Sequence, residues 1–157
     1  MLRIMSFVLG ILLLSGCETD KPSTPTSTPY KPTTEMINTM NWILDPAADV
    51  IWGNAGWEIT AAGERELFPE TNAEWEKLVH ASAVIAETGN LLMMPGRENG
   101  ADERGQDWIA YSQALVATGN QLLEAAQDQD KQAIFDLGGQ LYRVCVACHQ
   151  RYAYPDK

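Results

Sequence analysis

Residues 134–152 read IFDLGGQLYRVCVACHQRY. Within them Ile134, Leu137, Leu141, Val144 and Cys148 recur at spacings of three and four, which is one face of a helix. The same period appears three more times upstream. The first stripe is Met36, Met40, Ile43, Ala47, Val50 and Asn54; the second is Trp75, Leu78, Ser82, Ile85, Gly89 and Leu92; the third is Trp108, Tyr111, Leu115, Thr118 and Leu122. No stretch sustains period-two alternation, so the reading predicts helices and no strands. Four amphipathic helices with mostly short connections predict an all-α chain, folded as an antiparallel four-helix bundle.

The breaks between the stripes are legible. Thr71-Asn72 is a capping start before Trp75, the stretch from Pro95 to Gly100 is a loop, and Asp128 to Asp130 is a polar turn. Ala55 to Glu70, with Gly56, Gly63 and Pro69, reads as a longer connection. Asp45-Pro46 either kinks the first helix or starts a new one. The second and third helices each carry a Thr-Gly-Asn triplet, at Thr88-Gly89-Asn90 and Thr118-Gly119-Asn120, where a glycine lets two helices approach closely.

Outside the helical region the composition changes. Met1-Leu2-Arg3 and the apolar run from Ile4 to Leu14 form the basic and hydrophobic parts of a secretory signal, too short to span a bilayer. The run ends in Leu14-Ser15-Gly16-Cys17, which resembles the lipobox of bacterial lipoproteins. That resemblance implies cleavage after residue 16 and a diacylglyceryl group on Cys17. From Glu18 to Thr34 the chain is Thr, Pro, Ser and Lys with Pro22, Pro25, Pro29 and Pro32, too polar to fold. About 16 such residues at ~3.1 Å each reach up to ~50 Å, the length of a tether. The expected organisation is therefore a signal peptide over 1–16, a lipidated cysteine and tether over 17–33, and one helical domain over 34–157. Glu18 is not the aspartate that resembles a retention signal for the inner membrane, which leans the expectation towards the outer one.

Cleavage would remove Arg3, one of 11 basic residues, and none of the 21 acidic ones, taking the formal charge from −10 to −11. Such a surface disfavours nucleic acid and steers towards a basic partner.

The final stripe ends in Cys145-Val146-Ala147-Cys148-His149. On a helix these two thiols and the imidazole lie at i, i+3 and i+4, on one face. Two thiols that reach two vinyl groups, followed by an imidazole placed over the iron, are what covalent haem attachment needs, and the pattern is specific for it. With Cys17 committed to lipid, one haem c accounts for all three cysteines. A thioredoxin-like dithiol needs a βαβ setting, and a zinc site needs a fourth ligand, for which His80 is the only other histidine.

A Cys-x-x-Cys-His near the C-terminus, on the last helix of four, resembles the class II c-type cytochromes, the cytochrome c′ family. The resemblance covers about Thr34 to Pro155 and is most specific from Gly138 to Tyr152, with glycines before the first cysteine and an aromatic three residues after His149. Ala153 stands where the family often has an arginine, with Arg151 nearby. The resemblance implies that Cys145 and Cys148 hold haem by thioethers and that His149 is the proximal iron ligand. It also implies that the first helix covers the distal face. Some members place a methionine on the iron there; others leave the position open and bind small gases.

Met36 and Met40 lie at i and i+4 on the first stripe, and Met40 is the favoured distal ligand with Met36 the second choice. The expected function is a membrane-anchored periplasmic cytochrome that transfers electrons to a redox partner with a basic docking face. The alternative is a five-coordinate protein binding nitric oxide or carbon monoxide. A homodimer through the first two helices is the family's common assembly. No enzymatic activity is expected: a peroxidase needs distal acid–base groups, and the first helix offers only Glu35, Asn38 and Asn41 beside its methionines. The five tryptophans are read chiefly as helix-packing core.

Overall fold

The computed structural model describes residues 30–97 and 103–153, with the side chains of 103–105 left out of the description. The signal segment, Cys17, most of the tether and the centre of the loop after Arg97 lie outside the described residues. What is described is mostly helical.

The first helical rod has three parts: α1 (Met36–Thr39), a π-helical turn (Met40–Leu44) and α2 (Asp45–Gly53). The junction residues keep right-handed helical backbone, so the rod is continuous. Of the two expectations for Asp45-Pro46 the second holds, since an α-helical segment starts at Asp45, although the rod does not break there. Pro46 has no N–H, and in a regular helix its ring meets the carbonyl four residues back. Here the preceding turn widens instead, closed by Asp45 N–H donating to Met40 O, and Pro46 sits in the first turn of α2. The extra residue in that turn rotates the buried face. Leu44, Ala48 and Ile51 are buried, whereas Ile43 and Val50 of the expected stripe are only half-buried.

The stretch after α2 departs from the expectation of no strands. β1 (Trp57–Thr60) and β2 (Gly63–Glu66) form an antiparallel hairpin that pairs Trp57 with Glu66 and Thr60 with Gly63. All eight of its residues are exposed. With neither face on a core, nothing imposes alternation, and periodicity had nothing to detect. The Trp57 ring anchors the hairpin edge-on to Phe68 and Phe135, with centroids 5.5 Å from each.

The other three helices follow their stripes. α3 (Asn72–Leu92) starts at a capping box in which Thr71 and Glu74 satisfy each other's backbone N–H groups. α4 (Glu103–Gln127) is followed by a tight turn with Gln129 at φ 55° and then α5 (Lys131–Tyr152), capped by Asp130 accepting from Ala133 N–H. Ile51, Leu78, Ile85, Leu122, Ile134 and Leu141 are fully buried at the centre.

The contacts set the directions. Trp108 at the start of α4 donates its indole N–H to Leu92 O at the end of α3, and packs edge-on to Tyr152 at the end of α5. Thus α3 and α4 run antiparallel, as do α4 and α5. Trp52 donates to Gly138 O at 3.0 Å, which brings α2 against α5. Among the described residues α3 and α5 do not approach each other, nor do α2 and α4. The two Thr-Gly-Asn glycines sit where α3 and α4 come closest. A Cβ on Gly89 would lie 2.8 Å from Ser112 O, and one on Gly119 would lie 2.6 Å from Ala86 N.

Candidate functional site

The buried stripe of α5 changes character along its length. Ile134 and Leu141 are fully buried, but Val144, Cys145 and Cys148 are half-buried at the edge of the same core, and His149 is exposed. The first rod explains the change. α2 lies against the middle of α5 through Trp52, which also meets Tyr142 edge-on with centroids 6.2 Å apart. No Cα of residues 36–44 comes within 8 Å of a Cα of α5. Met36 and Met40 are half-buried at the edge of the same core. The two thiols predicted for attachment and the two methionines predicted for the distal side thus border one core from different elements.

The thiols are free and held in their protonated form. Burial pushes Cys148 up to about 11, with Cys145 beside it adding to the effect. Burial also raises Cys145, and the Asp45 carboxylate raises it further. A redox-active dithiol needs the opposite, a depressed pKa at a helix N-terminus; here both cysteines stand in the last turns of a long helix. Asp45 was not anticipated as a neighbour of Cys145. Its proximity follows from the antiparallel course of α2 and α5, which no local pattern encodes.

Tyr152 is fixed against α4. Its ring lies edge-on to Trp108 at 5.1 Å and to Tyr111 at 6.3 Å between centroids. Burial raises its hydroxyl pKa, and Asp107 adds to that. Arg151 pairs with Asp107 at 3.2 Å, so this basic residue two positions after His149 is tied to α4.

His80 does not join the site. It lies on α3 beside Glu76 at 3.8 Å with its side chain 72% exposed. Among the described residues no three His, Cys, Asp or Glu side chains converge to hold a bare metal ion. Of the tryptophans, Trp75 and Trp108 are core and Trp52 is half-buried, but Trp42 and Trp57 are exposed. The core reading therefore holds for three of the five.

One residue escaped the sequence reading altogether. Arg97, just after α3, is 7% exposed. Its Nη1 donates to Thr39 Oγ1 at 2.8 Å and its Nη2 to Thr34 Oγ1 at 3.3 Å, while Nε has no partner. A basic residue after Pro95-Gly96 looks like ordinary solvated loop, so burial gave no advance signal.

No helix of the described residues is long and apolar enough to cross a membrane. Comparison with protein-family models, with curated proteins and with solved structures gives no match.

Proposed function

We propose that this chain is a c-type cytochrome of the class II kind, an antiparallel four-helix bundle whose C-terminal helix carries one covalent haem, tethered in the periplasm and serving electron transfer. The observation that carries the reading is the half-buried pair Cys145 and Cys148, with His149 one residue on, at the edge of the core that Met36 and Met40 also border. Cys145 and Cys148 would each add their thiol across a vinyl group, sulfur to carbon and the proton to the neighbouring carbon, with nothing leaving. His149 would hold the iron from one side. Met40, which opens the π-helical turn, would hold it from the other, with Met36 one turn earlier as the second choice. Haem supplies the one-electron couple. The chain's part would be to exclude water with the apolar side chains around Cys145 and Cys148 and to tune the potential through a thioether ligand. Cys17 would anchor the tether in a membrane, the outer one favoured, and the acidic surface would steer a basic partner.

The test is the spectrum of the exported protein, ferric and ferrous, with and without carbon monoxide. A low-spin spectrum with a methionine-to-iron charge-transfer band, unmoved by the gas, is expected. Met40→Ala should abolish the band while Met36→Ala leaves it. A high-spin spectrum that shifts on adding the gas would overturn electron transfer in favour of gas binding. A colourless product from cells with working cytochrome maturation would overturn haem altogether.

A further inference from the structure

Arg97 is a cation in the wrong company. A guanidinium does not lose its proton inside a protein, and buried charges are normally paired with opposite charge. Yet the two acceptors that Arg97 reaches are neutral hydroxyls, Thr39 and Thr34. Those hydroxyls are themselves 2.7 Å apart, and Thr39 Oγ1 donates onward to Glu35 O. The group is thus rigidly aimed, and among the described residues no carboxylate pairs with it. Its Nε remains without an acceptor in a residue that is only 7% exposed. Thr39 immediately precedes Met40, so the guanidinium lies beside the segment that carries the proposed distal methionine.

We infer that Arg97 receives a carboxylate of the bound porphyrin, one of the haem propionates, with Thr34 and Thr39 holding the guanidinium in place for it. This rests on the haem reading above and adds a residue to it. A propionate would supply the missing negative charge and accept from Nε, and a planar guanidinium presents a forked donor set that matches a carboxylate. The same contact would set the potential. A cation beside the haem disfavours the more positively charged ferric state, so Arg97 would hold the potential up.

The experiment is resonance Raman spectroscopy of the propionate-bending bands and a redox titration of the haem-loaded protein, for wild type, Arg97→Gln and Arg97→Lys. In Arg97→Gln one propionate band should move to the weakly hydrogen-bonded position and the midpoint potential should fall. Arg97→Lys, which keeps the charge, should keep most of the potential while losing melting temperature with the threonine bonds. Haem-loaded variants whose bands and potential match wild type would overturn the inference and leave the cytochrome reading standing. A haem-free wild type would instead defeat the cytochrome reading itself. If the propionate bands stay put but added inorganic phosphate raises the wild-type melting temperature, Arg97 serves a free anion and the inference fails. Should Arg97→Gln not fold, the wild-type spectrum decides: two weakly hydrogen-bonded propionates there overturn the proposal.

Discussion

At the scale of single residues, the chemistry of the site is a matter of which protons are held. Cys148 is pushed up to about 11 by burial, and Cys145 is raised by burial and by Asp45. In the chain with both thiols free, both should therefore react slowly with iodoacetamide at neutral pH. The Cys148 rate should rise steadily as the pH climbs towards that value, because the thiolate is the nucleophile. Rapid labelling at neutral pH, followed by mass spectrometry, would contradict the buried setting. Asp45→Asn should speed labelling of Cys145, since it removes a negative charge that opposes the thiolate. The motif itself was fully legible, because spacing along a helix determines which side chains share a face. Asp45 and Arg97 were not, because each meets its partner only across the fold.

At the scale of elements, two glycines with the same local sequence context do a job that a third does not. Gly89 and Gly119 lie where a Cβ would strike backbone of the facing helix, at 2.8 and 2.6 Å. Alanine at either should force α3 and α4 apart and cost roughly 1–3 kcal/mol, seen as a lower melting temperature. Gly138→Ala meets only ordinary contacts at 3.7 Å with Ile51 and Trp52. It should be neutral or stabilising by up to about 1 kcal/mol, from the better helix propensity of alanine. Equal losses at all three would show that helix approach is not what these positions serve. The start of α3 gives a pH prediction. The backbone N–H of Glu70 and the hydroxyl and N–H of Thr71 hold the Glu74 carboxyl below its usual range. A lowered folded-state pKa means its contribution is complete above the ordinary carboxylate range and is lost as pH falls through the lowered value. Glu74→Gln should flatten the acid limb of the stability curve, and a curve identical to wild type would remove this contribution.

At the scale of the whole molecule, each helix packs on its sequence neighbours and α5 returns to α2, and Met36, Met40, Cys145 and Cys148 all sit at the edge of the one core that results. The proposed tether makes a separate expectation. Cys17→Ser should release the mature domain from membranes into the soluble periplasmic fraction without changing its spectrum, checked by fractionation and by the mass of the N-terminal peptide. An equal membrane yield in the variant would dismiss the lipid anchor.

The amino-acid order by itself determined the helices, their starts and the grouping of Cys145, Cys148 and His149, because these depend on periodicities and caps that act within a few residues. The second and third stripes are buried almost throughout, and the fourth at Ile134 and Leu141. Only the tertiary structure decided the rest. A proline is accommodated by widening the turn before it, which rotated the first stripe by a residue. A hairpin with both faces in solvent carries no pattern to read. The docking of α5 on α2, and the burial of Arg97 against Thr34 and Thr39, arise from contacts between residues 86 and 63 positions apart, whose free energy exists only once the chain has closed on itself.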